Sequence, residues 1–278
     1  MKRLLSALAF AAAAASHAPA ESPAPDPATT SGLVIRQSLM QNPRSFGERE
    51  PGTDIDAIIL HHTSAIYWDN QDFQFQFRDA LSDFADDPEI AALLEEGKDA
   101  YKFDWRFNKQ IFEAYGVSAH YIIGRDGEIV QLVKDEDRAY HAGPGLMPPP
   151  DNRQSINNFS LGIEITGAHP ADDPAVKSGA IPDYTEAQYE ALHDLLLHLV
   201  QEYDVPLENI AGHDDIGGQR AKALGVRERG IKTDPGPGFQ WDRVLGRLAA
   251  DLGVEAPESP RKRTARAMAE EAKEGGAE

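Results

Sequence analysis

The chain of 278 residues contains no cysteine. That excludes disulfides and a lipid-modified cysteine anchor, so a folded body must be held by its apolar core. Positive charge is scarce. Lys and Arg number 27 against 46 Asp and Glu, a formal net charge of −19. So acidic a chain is a poor partner for polyanions, and no nucleic-acid partner is expected. Long apolar runs are missing as well. The one near the start, residues 4–15, is too short to span a bilayer, and no membrane anchor is expected. Internal repeats are absent. Apolar residues, at 41%, remain near the globular average, which argues against disorder.

What is present divides the chain. "MKRLLSALAFAAAAASHAPA" has a basic start, a short apolar run and small residues after it, so residues 1–20 are predicted to be a cleaved secretory signal. A periplasmic or secreted location follows. Residues 21–33, rich in Pro, Ser and Thr, read as a linker. Residues 34–254 are long enough for one domain, expected to be monomeric. Residues 255–278 carry a basic and then an acidic run and read as a charged flexible tail or loose helix.

Strand and helix patterns alternate through the domain. "DIDAIILHHTS" reads as a buried strand, and "AHYIIGRDGEIVQLV" as a hairpin turning at Asp126-Gly127. "SLGIEITG" and "NIAGH" are further strands. "TEAQYEALHDLLLHLVQEY" is an amphipathic helix with a capping box formed by Thr185 and Gln188 and a stripe of Leu192, Leu195, Leu196 and Leu199. A last helix begins at Trp241. The order implies an α/β fold with a mixed central β-sheet flanked by helices. Residues 66–117, rich in aromatic and acidic residues, are too long for a plain connection and are expected to be helical and to wall a cleft, with Trp68, Trp105 and Phe107 among the aromatic candidates.

The candidate chemistry gathers at strand ends, where open α/β sheets bind ligands. His61 and His62 lie at the end of one strand and His213 at the end of another; Asp234 follows in the rigid "KTDPGPG". Two imidazoles and a carboxylate are a usual set for catalytic zinc, and strand parity alone does not choose between His61 and His62. In "LGIEIT", Leu161, Ile163 and Ile165 share one face and Gly162, Glu164 and Thr166 the other, which places a carboxylate among small residues, as in a cleft. Lys232 and Asp234, two apart on an extended chain, point the same way.

"IILHHTS", "SAHYIIGRDGEIVQLV", "YHAG", "NNFSLGIEITG", "YTEAQYEAL" and "AGHDDI…KTDPGPGF" follow one another in the order found in zinc-dependent N-acetylmuramoyl-L-alanine amidases. Over roughly residues 55–248 the chain resembles their AmpD-type branch, related to peptidoglycan recognition proteins. The resemblance implies that residues 34–254 are a catalytic domain of that fold. It implies one zinc ion held by His61, His213 and Asp234, and so favours His61 over His62. It places Glu164 on the acid/base and Lys232 on the catalytic lysine. It places His141 and Asn157 along a groove for peptidoglycan or muropeptides and His120 beside the site; Trp68, from the aromatic stretch, is a further candidate for substrate binding, and His62 a neighbour of the ligands. The implied reaction is hydrolysis of the amide between N-acetylmuramic acid and L-alanine; the alternative is a recognition protein that binds without cutting. Two features depart from the pattern. Ala119 stands where the phage branch has a catalytic tyrosine, and residues 214–231 form a longer segment.

Overall fold

The computed structural model describes residues 32–63, 104–167, 183–228 and 230–275. The chain divides into two units, Met1–Gly32 and Leu33–Glu278, and the architecture below is that of the second. The predicted signal segment, Trp68 and most of the aromatic stretch after it lie outside the described residues.

The elements run β1 (Ile35–Gln37), β2 (Phe46–Glu48), β3 (Ala57–Thr63), α1 (Trp105–Tyr115), β4 (Tyr121–Ile123), β5 (Ile129–Gln131), β6 (Asp137–Ala139), β7 (Ser160–Thr166), α2 (Glu186–Tyr203), β8 (Ile210–Gly212), α3 (His213–Gly217), α4 (Gln219–Ala223), α5 (Trp241–Leu252) and α6 (Pro260–Gly275). Six strands form one sheet in the order β1-β5-β4-β7-β3-β8, and β2 pairs with β6 apart from it. Every neighbouring pair in the large sheet is parallel except β4 with β5, the predicted hairpin. Gly127 supplies the positive φ, 88°, that this turn needs.

The alternation read in "LGIEIT" sorts the layers. Leu161, Ile163 and Ile165 of β7 join Ile58 and Leu60 of β3 in a core closed by Leu192, Leu195, Leu196 and Leu199 of α2 and by Val244, Leu245 and Leu248 of α5. Each such leucine, fully buried, contributes roughly 1.5–3 kcal/mol. The α2 capping box forms as expected: Gln188 N donates to Thr185 Oγ1 at 3.1 Å, and Thr185 N donates to Gln188 Oε1 at 3.1 Å. The opposite sheet face carries two smaller apolar clusters. One joins Ile122, Val130 and Leu132 to Trp105, Phe107, Ile111 and Phe112 of α1. The other joins Ala57, Ile59 and Ala211 to Met147, Ile156 and Ile216.

Two expectations are corrected here. Trp105 and Phe107 pack α1 onto the sheet and do not wall a cleft; the Trp105 indole N–H donates to Glu128 at 2.9 Å. The tail is not loose: α6 docks on the body, with Ser259, Thr264 and Ala267 buried. Its basic run, read from sequence as solvated charge, finds acceptors. Lys262 meets Asp242 at 3.1 Å, Arg263 Nη2 donates to Glu208 O at 2.6 Å, and Arg220 from the body meets Glu271 at 2.7 Å. No described helix is long and apolar enough to cross a membrane.

Candidate metal centre

Three donors converge at the carboxyl ends of β3 and β8. His61 is on β3. His213 does not end β8, as expected, but opens the short α3 directly after it. Asp234 arrives from the loop before α5. His61 Nδ1 lies 2.9 Å from His213 Nδ1 and 3.3 Å from Asp234 Oδ2, and His213 Nδ1 lies 3.1 Å from the same oxygen. Tetrahedral coordination at bonds of about 2.0–2.1 Å requires donors about 3.3 Å apart, so the triangle fits one zinc-sized cation. The outer nitrogens support this. His213 Nε2 donates to Ala142 O at 2.9 Å, and His61 Nε2 faces His141 Nδ1 at 3.0 Å. With protons on those nitrogens, the Nδ1 lone pairs are left for a metal. Burial, and then His213, lower the His61 pKa to about 4, which keeps its ring neutral. Burial opposes the Asp234 charge, but His213 and His61 outweigh it and hold that carboxyl well below the usual range.

Glu164 stands beside the triangle by sheet register alone: β3 and β7 are parallel, and His61 pairs with Glu164. The two side chains leave the same face. Glu164 Oε2 is buried and has no hydrogen-bond partner among the described residues. Burial first, then the charge of Asp234, push its pKa well up, against the pull of Lys232. Glu164 is not on a sheet edge, since β7 lies between β4 and β3. His61, Glu164, Lys232 and Asp234 line one cleft, with Phe112, Val117, Ser118 and Tyr140 on its walls. Lys232 is held by its own backbone, N donating to Gly217 O at 3.0 Å.

The remaining candidates have other positions. His62 points to the opposite side of β3 from His61, 2.7 Å from Asp183 and 3.0 Å from the Tyr184 hydroxyl. Parity could not choose between the two; the structure brings His61, and not His62, to the other two candidate donors. His141 lines the same cleft, behind His61, and its Nε2 reaches Ser160 Oγ at 3.2 Å, which in turn donates to Ile156 O at 2.7 Å. Gly162 makes room for that ring, since a Cβ there would lie 2.5 Å from His141 Cγ. Asn157 does not line the cleft. Its Oδ1 accepts from the amides of His141 and Ala142, at 3.2 and 2.9 Å, and so holds the carbonyl that orients His213. His120 is structural: Nδ1 accepts from Gly162 N at 2.9 Å, and burial, then Arg49, lower its pKa to about 3. Ala119 is fully buried, and the cleft walls nearest it in sequence are Val117 and Ser118.

The Asp234 loop is rigid for reasons that spacing showed only in part. Asp214 N donates to Asp234 O at 2.7 Å, and the Tyr184 hydroxyl donates to Pro235 O at 2.6 Å. Tyr184 opens the motif "YTEAQYEAL" but has no role assigned from sequence; no local pattern marks a tyrosine that reaches a loop 51 residues on. The long 214–231 segment folds back as α3 and α4, and its first turn is the scaffold for Lys232 and Asp234.

A family model described as N-acetylmuramoyl-L-alanine amidase matches residues 51–237. Among curated proteins, the 1,6-anhydro-N-acetylmuramyl-L-alanine amidase AmpD of Enterobacter cloacae is 38% identical over 139 residues, 50% of this chain and 61% of that protein. The chain thus spans about three fifths of that relative's length. AmpD of Haemophilus influenzae is 29% identical over 215 residues, 77% of this chain and 93% of that protein. A crystal structure of a selenomethionine AmpD derivative shares 28% identity, covering 77% of this chain and 93% of its own, with a TM-score of 0.47. The matched span contains all three donors, Glu164 and Lys232, and by it the chain belongs to the N-acetylmuramoyl-L-alanine amidase family, Amidase_2.

Proposed function

We propose that the chain is a zinc amidase that hydrolyses the bond between the lactyl carbonyl of N-acetylmuramic acid and the nitrogen of L-alanine, in peptidoglycan or its muropeptides. The observation that carries this is the triangle of His61 Nδ1, His213 Nδ1 and Asp234 Oδ2, 2.9–3.3 Å on a side, with Glu164 in register beside it, its buried Oε2 without a partner among the described residues. His61, His213 and Asp234 would hold the ion, which supplies Lewis-acid activation of water and of the scissile carbonyl. Glu164 acts as general base: a carboxylate oxygen takes the proton of the attacking water and later passes it to the departing alanine nitrogen. Burial first, and then Asp234, raise the Glu164 pKa above the usual carboxylate range, and Lys232 draws it back. Lys232 offers its ammonium to the carbonyl oxygen as negative charge develops, a preorganised contribution of roughly 3 kcal/mol. His141, Ala142 O and Ser160 keep the ligand imidazoles in one tautomer. Export by a signal at residues 1–20 is part of the same proposal and would place the enzyme where peptidoglycan is met.

The test pairs zinc analysis with mass spectrometry of products from defined muropeptides and from sacculi. Stoichiometric zinc and release of peptides with a free L-alanine amine are expected. A zinc-loaded protein that binds muropeptides without turnover would support recognition alone, and cleavage of another bond would overturn the assigned reaction.

A further inference from the structure

The carbonyls of the Asp234 loop are held in unbroken succession. Asp234 O accepts from Asp214 N, and Pro235 O from Tyr184. The next two are held by the C-terminal helix: Arg261 Nη2 donates to Gly236 O at 2.6 Å, and Nη1 to Pro237 O at 3.1 Å. Arg261 Nη2 also reaches Asp214 Oδ2 at 3.1 Å. Asp214 follows the donor His213 directly, and Gly236 lies two residues after the donor Asp234. One guanidinium thus bridges the two loops that carry two of the three donors. The matched family span ends at residue 237, so this bridge comes from outside it.

We infer that Arg261 is a positioning residue for the metal centre, and that α6 is part of the construction of that centre. A guanidinium presents several donors in a fixed planar fork, which suits it to fix two carbonyls and a carboxylate at once. A lysine in its place keeps the charge and loses the fork. Without the bridge, the described backbone ties between the loop carrying Asp234 and the turn carrying His213 are two, Asp214 N to Asp234 O and Lys232 N to Gly217 O. The donor triangle would then spread, and the metal would be held less tightly. Asp214 would also lose the cation that faces it.

The inference rests on the proposed zinc site, and the experiment separates the two. Zinc dissociation constants are measured by chelator competition on the full chain, beside thermal melting of the metal-free protein. The variants are Arg261→Gln, Arg261→Lys and Arg263→Gln. Arg263 ties the same helix to Glu208 O and Pro149 O and hydrogen-bonds neither donor loop among the described residues, and so serves as the control for helix docking. Arg261→Gln is expected to raise the zinc dissociation constant about tenfold, the lower end of the range for groups that orient ligands. Arg261→Lys should recover part of that, and Arg263→Gln should change it less than roughly threefold even where its melting falls equally. If Arg261→Gln binds zinc within roughly threefold of the parent, or if Arg263→Gln weakens zinc as much, Arg261 only docks the helix and the inference is overturned. Should Arg261→Gln not fold, Arg261→Lys decides by the same comparison with Arg263→Gln. A parent chain that binds no zinc overturns the metal reading itself, a separate result.

Discussion

On the side of β3 and β7 that meets α2 and α5, Leu60, Leu161, Ile163 and Ile165 are sealed among leucines. On the other side of the same two strands, at alternate positions, stand His61, Gly162 and Glu164 beside a cleft. One backbone ladder serves both. The apolar side contributes free energy of folding. The polar side spends some of it, since a buried carboxylate without a partner is costly. The pair His61 and His62 shows the division at its narrowest: adjacent residues, one facing a donor triangle, the other held by Asp183 and Tyr184.

If the two sides are separable, substitutions should divide cleanly between metal and rate on one side and stability on the other. The largest effect is expected from His213→Ala, which should lose stoichiometric zinc and all muropeptide turnover while its circular dichroism stays native. Its counterpart His62→Ala should keep zinc. Metal analysis of the two together checks the comparison, and a His62→Ala protein without metal would break it. Glu164→Gln comes next. It should bind zinc with the parent's affinity and lower kcat by 10²–10⁴-fold; a rate within threefold of the parent removes Glu164 from the chemistry.

From the apolar side, Leu195→Ala should cost about 2–5 kcal/mol in denaturant unfolding, since Leu195 is fully buried. The zinc affinity of the molecules that remain folded should not change. A loss of affinity there would mean that the core reaches through the sheet to the donors. The smallest effect should come from Thr185→Ala, which removes the cap of α2 at a cost of about 1 kcal/mol, readable as a lowered melting temperature with unaltered kinetics.

This division also explains what the sequence could disclose. Period-two and helical patterns are local, so β7, α2, the Asp126-Gly127 turn and the Thr185 cap were legible residue by residue. So was the face on which Glu164 lies. The ligand set needed more, because nothing local distinguishes His61 from His62; only the pairing of β3 with β7 and the approach of His213 decide it. The contacts that rigidify the site were the least legible. Tyr184, Ser160 and Arg261 act on residues distant in sequence, and nothing local marks their partners, even though Tyr184 and Ser160 lie within the quoted motifs. The basic run beginning at Arg261 has the composition of a solvated tail, and composition carries no information on which acceptors lie 3 Å away in the fold. Trp105 and Phe107 show the converse error, for an aromatic cluster reads alike whether it packs a helix or walls a groove.

The donor triangle has a consequence that concerns chemical durability. Its atoms are two imidazole nitrogens and one carboxylate oxygen, in a chain without a single thiol. A thiolate ligand can climb to sulfenic and sulfinic acid or be captured in a disulfide, and each step ejects the metal. Nitrogen and oxygen donors have no such ladder. A change in thiol poise therefore finds nothing at this centre to convert, and a metal held here would be open to loss by acid and chelators but not by thiol oxidation or disulfide capture of its ligands.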